Sequence, residues 1–298
     1  MTKSFVHLHA HTEYSMLDGA AKIVDYLKKV KELNQPAAAI TDHGNLYGAM
    51  EFVQKANDLG IKPIIGYEAY ITPGSRFDRP DRENNKRYHL TLLAENNIGY
   101  QNLVELVSKA YTEGYYYKPR IDYELLDQHH DGLIALSGCL GGELAQHLAP
   151  DGSVEEGNTS NERSFEKALD IAKKYQSIFG KENYFIEIHN HGIKQQLDIL
   201  DDLVEIAKLI DAPLVAANDS HYVEENGAEA HDALLCVQTN RTLDDESRFR
   251  FDGSGYYVKS SEEMRKLFPE DKYPGACDNT LAIADRVNYE FNFDKSYL

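Results

Sequence analysis

Cysteine is scarce in this chain: Cys139, Cys236 and Cys277 are the only three among 298 residues. Three thiols make no disulfide framework, and a reducing cytoplasm is the expected compartment. Long apolar runs are missing too. The opening MTKSFVHLHA holds no apolar core of signal-peptide length, and no later stretch approaches a membrane span. Positive charge is the third shortage. Lysine and arginine number 31 against 49 acidic residues, a formal net charge of −18. Such a surface repels nucleic acid at long range, which argues against strong, free-standing DNA binding. A nucleic-acid role would need a basic partner or a neighbouring domain. Carboxylates that ligate divalent ions would offset part of the deficit.

What remains is globular in type, 42% hydrophobic and 27% charged with a mean hydropathy of −0.53. Short apolar runs alternate with helical patterns. FVHL precedes a segment in which Ile23, Leu27, Val30 and Leu33 share one helix face. PAAAIT (36–41) precedes a helix through Met50, Phe52 and Val53 that ends near Gly60. KPIIGYEAYI (62–71), YHLTLLA (88–94), GLIALSG (132–138), NYFIEIH (183–189) and APLVAAND (212–219) continue the strand series, with helices at about 162–179 and 194–210. Seven strands alternating with helices imply parallel pairing and a near-closed α/β barrel. Two polar segments interrupt it, 75–87 and 150–163. The barrel is expected over about 1–240, with a helical extension over about 241–298 packed outside it, all within a single domain 1–298.

Residue types that ligate metals fall in phase with this map. His7, His9 and His11 alternate, so an extended segment would put them on one face. His9 and His11 end the first strand, Asp42 and His43 the second, and Glu68 lies near the end of the third. His89 lies on the fourth, Cys139 directly follows the fifth, His189 and His191 end the sixth, and Asp219 and His221 end the seventh. In parallel α/β barrels the carboxyl ends of the strands meet at one mouth, where active sites are built. His7 is expected to orient a ligand imidazole. His129, His130, His147 and His231 are expected as surface or cap residues. Imidazoles mixed with carboxylates suit Zn, Mn or Fe better than Ca or Mg. The donors outnumber one tetrahedral site, implying two or three divalent transition ions with shared carboxylates. Ions held roughly 4 Å apart suit phosphoester hydrolysis.

HLHAHT, TDHG and NDSHY, in this order, resemble the signature of the PHP (polymerase and histidinol phosphatase) domains. FVHLHAHTEYSMLDGAAK, ITDHGNLYGAMEF, IKPIIGYEAYITPGSRFD and AHDALLCVQTNRTLDD are similar, more narrowly, to the N-terminal PHP domain of bacterial DNA polymerase III alpha subunits. The resemblance covers essentially the whole chain. It implies an α/β fold, a distorted (β/α)7 barrel with the metal centre at the C-terminal mouth of the strands. It implies the ligand set His9, His11, Asp18, His43, Glu68, His89, Cys139, Asp219 and His221, in which Asp18 enters through the resemblance alone. Asp18, His43 and Asp219 are expected to be indispensable for catalysis, and His191 to contact phosphate at the mouth. FNFDKSYL stands about where such a polymerase would continue towards its palm, so the chain is expected to be one module of a longer protein.

The implied activity is metal-dependent phosphodiester hydrolysis, as a 3′–5′ proofreading exonuclease of a replicative polymerase. The implied partners are a DNA 3′ end, weakly held, and the remainder of the alpha subunit and replisome, with no membrane. Two other classes compete: a small-molecule phosphomonoesterase resembling histidinol phosphatases, and a silent, metal-stabilised structural domain. The stretches SRFDRPDRENNKR and YTEGYYYKPR, one mildly basic and one interleaving tyrosines with cations, are the candidate DNA contacts.

Overall fold

Apolar spacing sets the helices. In α1 (Ile23–Glu32) the buried residues Ile23, Tyr26, Leu27 and Val30 recur at helical spacing. α2 (Ala49–Leu59) buries Phe52, Val53 and Ala56 and stops at Gly60, whose φ of 71° lies in the left-handed region. The Asn96 side chain accepts from the Ile98 and Gly99 amides to begin α3 (Asn97–Thr112). The other helices are α4 (Tyr123–Gln128), α5 (Glu143–Leu148), α6 (Phe165–Phe179), α7 (Lys194–Ile210), α8 (Ala228–Thr239), α9 (Ser261–Leu267) and α10 (Asp278–Arg286). This computed structural model describes residues 3–82, 84–150, 162–253 and 255–291. Most of the polar segment 150–163 and the terminal stretch from 292 lie outside the described residues.

The strands are β1 (Ala37–Ile40), β2 (Lys62–Ile71), β3 (Tyr88–Ala94), β4 (Arg120–Ile121), β5 (Leu133–Leu136), β6 (Tyr184–Ile188) and β7 (Leu214–Ala216). They form a 7-stranded sheet in the order β1-β2-β3-β5-β6-β7, with the short β4 paired to β2. Pairing is parallel for β1–β2, β5–β6 and β6–β7, but β3 runs antiparallel to both β2 and β5. The expected all-parallel order is therefore corrected at one strand. Among the described residues no helix lies between Ile71 and Tyr88 to carry a parallel crossover, so the chain returns and pairs in reverse. The reversal has a consequence for the site. His89 stands at the start of β3, opposite Tyr70 near the end of β2, so it reaches the same mouth as the carboxyl ends of the parallel strands.

The expected first strand is not a regular one. Residues 5–11 nevertheless bridge the open edges: the Ala39 and Thr41 amides donate to the His7 and Ala10 carbonyls, and the His11 amide donates to Ser220. This closes the curled sheet into a distorted barrel. The segment bends at His9, which resets the side-chain phase. Val6 and Leu8 join Ala39, Ile64, Leu93, Ile134 and Val215 in the inner apolar cluster. His9 and His11 then face the mouth, while His7 instead reaches the Lys259 carbonyl at 2.9 Å.

Ile283, Ala284 and Val287, from α10 and its end, belong to that same inner cluster. The last helix thus packs across the end of the barrel that lies away from the mouth. Its apolar face seals an end that would otherwise expose Ile64, Leu93 and Val215. Among the described residues no helix is long and apolar enough to cross a membrane.

Candidate metal centre

Glu68, near the end of β2, stands at the middle of the mouth. Its Oε1 lies 3.2 Å from His9 Nε2 and 3.1 Å from His89 Nδ1. Its Oε2 lies 2.7 Å from His43 Nδ1 and 3.5 Å from His11 Nε2. Cys139 Sγ is 3.7 Å from the same carboxylate and 3.6 Å from His89 Nδ1. Asp219 Oδ1 approaches His11 Nε2 at 3.1 Å, His9 Nε2 at 3.4 Å and His221 Nδ1 at 3.6 Å. Asp18 Oδ2 meets His43 Nε2 at 2.7 Å and His221 Nε2 at 3.3 Å. The nine residues expected as ligands thus form one contiguous cluster.

Local backbone aims these groups. Asp219 holds a φ of 46°, a left-handed conformation that aspartate tolerates better than most residues. Gly19 follows Asp18 because a Cβ there would stand 2.0 Å from the Thr12 carbonyl oxygen. The ring orientations are fixed from behind. His9 Nδ1 donates to Glu187 at 2.7 Å, and His221 Nδ1 to the Asp219 carbonyl at 2.8 Å. His11 Nδ1 lies 2.9 Å from Ser15 Oγ, whose own hydroxyl donates to buried Asp42 at 2.7 Å. In all three rings the Nε2 lone pair is left for the mouth.

That arrangement leaves donors without partners. His9 Nε2, His11 Nε2, His43 Nδ1, His221 Nε2, Glu68 Oε2 and Asp219 Oδ1 are buried and make no hydrogen bond, although they crowd one another. Each buried, unsatisfied polar atom costs about 1–3 kcal/mol, so six in one place point to a ligand that satisfies them together. A divalent cation fits, because every one of these atoms is a lone-pair donor.

The electrostatics agree. Burial opposes ionisation of Asp18, Glu68 and Asp219, yet the surrounding imidazoles hold all three carboxyls well below the usual range. Burial also opposes a charged His43, but Glu68 and Asp18 raise it to about 9. His11, stacked between His43 at 4.1 Å and His221 at 4.3 Å, is pushed down to about 3 by burial and by those neighbours. Burial, with Glu68 alongside, raises the Cys139 thiol to about 11. Protons on some imidazoles balance three carboxylates, and cations bind such a site by displacing protons.

A model of the PHP domain family matches residues 7–191. The chain belongs to that family. DNA polymerase III subunit alpha of Thermus aquaticus is 49% identical over 289 residues, covering 94% of this chain and 22% of that protein. The Mycobacterium tuberculosis H37Rv subunit is 47% identical over 298 residues, covering 95% of this chain and 24% of that protein. The chain therefore spans about a quarter of the length of these curated relatives. Among solved structures, a two-domain protein containing a predicted PHP-like metal-dependent phosphoesterase from Bacteroides vulgatus aligns over 95% of this chain and 69% of that one, at 12% identity and a TM-score of 0.41.

Other expected residues of this PHP domain lie elsewhere. His191 stands apart from the carboxylate cluster: its Nε2 donates to the Asn218 carbonyl at 2.8 Å, its Nδ1 accepts from Gln196 at 2.9 Å, and its ring stacks on Tyr256 at 4.0 Å. His231 is buried rather than at the surface, with Nε2 donating to the Asp18 carbonyl at 2.8 Å. It braces the loop that carries a cluster carboxylate. Three cations of the two candidate DNA stretches serve the fold. Arg76 pairs with Asp122 and Glu113, Arg79 donates to the Arg76, Asp78 and Glu113 carbonyls, and Arg120 is fully buried. Tyr115 and Tyr117 are exposed. Two supporting residues escaped the sequence-based reasoning, Ser15 and Glu187. The second had a signal: a carboxylate between Ile186 and Ile188 in a fully buried strand needs a buried partner.

Proposed function

We propose that this PHP domain is a metal-dependent phosphodiesterase that removes nucleotides from a DNA 3′ end, as a 3′–5′ proofreading module of a replicative DNA polymerase in the cytoplasm. The observation that carries this reading is the set of six buried, unpaired donor atoms grouped around Glu68 and Asp219. His9, His11, Asp18, His43, Glu68, His89, Cys139, Asp219 and His221 would hold two or three transition-type cations, Zn, Mn or Fe. Such cations supply Lewis acidity towards a phosphoryl oxygen and make nearby water more acidic.

The chain's own groups do the rest. Glu68 and Asp219 each face several imidazoles, so each would hold cations together with those rings. Glu187, Ser15 and the Asp219 carbonyl hold the rings so that Nε2 faces inward. Asp18 and His43, at 2.7 Å, form the outer pair at the mouth, the place where a proton can be held beside an incoming phosphate. Similarity to polymerase alpha subunits supports DNA over a small phosphomonoester as the substrate. The remainder of such a subunit would supply the basic surface that a chain of −18 lacks, so binding by this chain alone should be weak and salt-sensitive.

The test is a labelled primer–template with Mn²⁺ or Zn²⁺ supplied, comparing the parent with Asp18→Asn and Asp219→Asn. Metal-dependent shortening by the parent, reduced at least about 100-fold in both variants, is expected. Hydrolysis of histidinol phosphate with DNA untouched would favour the phosphomonoesterase. Bound cations with neither substrate cleaved would favour a structural role.

A further inference from the structure

Beside the mouth, between α8 and the loop that follows it, lies a cleft of about 290 Å³. Tyr222, His231 and Leu235 line its inner part, and Arg250, Phe251 and Gly253 its other side. The cleft is one ring away from the candidate ligands. Phe251 packs T-shaped against His221 with centroids 4.7 Å apart, against His231 at 4.9 Å and against Tyr256 at 4.7 Å, and it also lines the cleft. Arg248 makes a paired salt bridge with Asp232, which ties the loop to α8 and neutralises an acidic group of the cleft wall. Arg250 is exposed at the rim, and among the described residues no ion pair engages it. All of these residues lie beyond the stretch 7–191 that matches the family model.

The volume falls just below the range of pockets for drug-sized ligands, which suits one planar heterocycle. An aromatic face with a free cation at the rim is the combination that holds a base and its phosphate. We propose that this cleft receives the base of the terminal deoxynucleotide whose phosphate lies at the metal centre. Phe251 provides the stacking face and Arg250 meets the phosphate backbone. The assignment rests on the DNA 3′-end reading above.

The experiment titrates the 298-residue chain, with Zn²⁺ present, against deoxythymidine 5′-monophosphate and deoxyribose 5-phosphate by calorimetry. Loss of the base should weaken binding roughly tenfold or more, the size of one aromatic–base stack. Phe251→Leu keeps an apolar side chain and should erase that difference, while Phe251→Tyr should restore it. Circular dichroism verifies that both variants fold. Equal binding of the two ligands by the parent, or a full difference retained in Phe251→Leu, overturns the proposal. Because binding is read without turnover, the two readings separate. Base-dependent binding without DNA shortening supports the cleft and contradicts the exonuclease. Equal cleavage of normal and abasic 3′ ends contradicts the cleft alone.

Discussion

A Glu187 carboxylate oxygen lies 2.7 Å from His9 Nδ1, and both side chains are buried. The same oxygen lies 2.8 Å from His189 Nε2, and the other accepts from the Gly138 amide at 2.9 Å. Despite burial, His9 and His189 hold the Glu187 carboxyl at about 2. A charged, fully engaged carboxylate behind His9 fixes the tautomer that presents Nε2 to the mouth. Glu187→Gln should therefore weaken cation affinity about 10- to 100-fold, read by competition with a chromophoric chelator. Parent-like affinity would show that the contact does not govern His9.

Arg120 anchors the loop before β3, and among the described residues no carboxylate pairs with it. It donates to the Gly114, Arg76 and Asp78 carbonyls and to Asn85 Oδ1. Arg120→Met removes these donors and leaves buried acceptors unpaired. A loss of about 2–4 kcal/mol is expected in urea denaturation. A change below about 0.5 kcal/mol would show that water satisfies those carbonyls instead.

Glu143 gives the stability a pH dependence separate from the metal centre. Burial holds its carboxyl above the usual value, although the Tyr123 and Tyr175 hydroxyls donate to it and Lys174 lies nearby. A carboxyl raised by folding contributes stability that is fully present below its unfolded value of 4.5 and is lost as pH rises through the folded value. Glu143→Gln removes that loss. The variant should melt higher than the parent at pH 8, with the gap closing below pH 4.5. A constant gap across this range would refute the assignment.

The ligand-type residues were legible because strand ends carry them in phase: one register places Glu68, Asp219 and His221 at a common mouth. Orientation was harder to read. The reversal of β3 shows in sequence only as a missing helix between Ile71 and Tyr88, and a polar loop of that length looked like an insertion in a parallel barrel. Period two places His7 with His9 and His11 only in an extended segment; this one bends at His9, with Val6 and Leu8 in the apolar cluster before the bend. The role of Glu187 depends on a contact 178 residues away in sequence, which no local pattern encodes. α10 reads as an ordinary amphipathic helix, and only the closed barrel shows which surface its apolar face covers.

The most direct test of the metal centre is anomalous diffraction from crystals of the chain grown with excess Mn²⁺ or Zn²⁺. At least two anomalous peaks, roughly 4 Å apart, should appear in contact with Glu68 and Asp219. Glu68→Gln should lose at least one of them, and chelation should lower the melting temperature of the parent more than that of the variant. A map with no peak among His9, His11, His43, Glu68 and Asp219 would contradict the account.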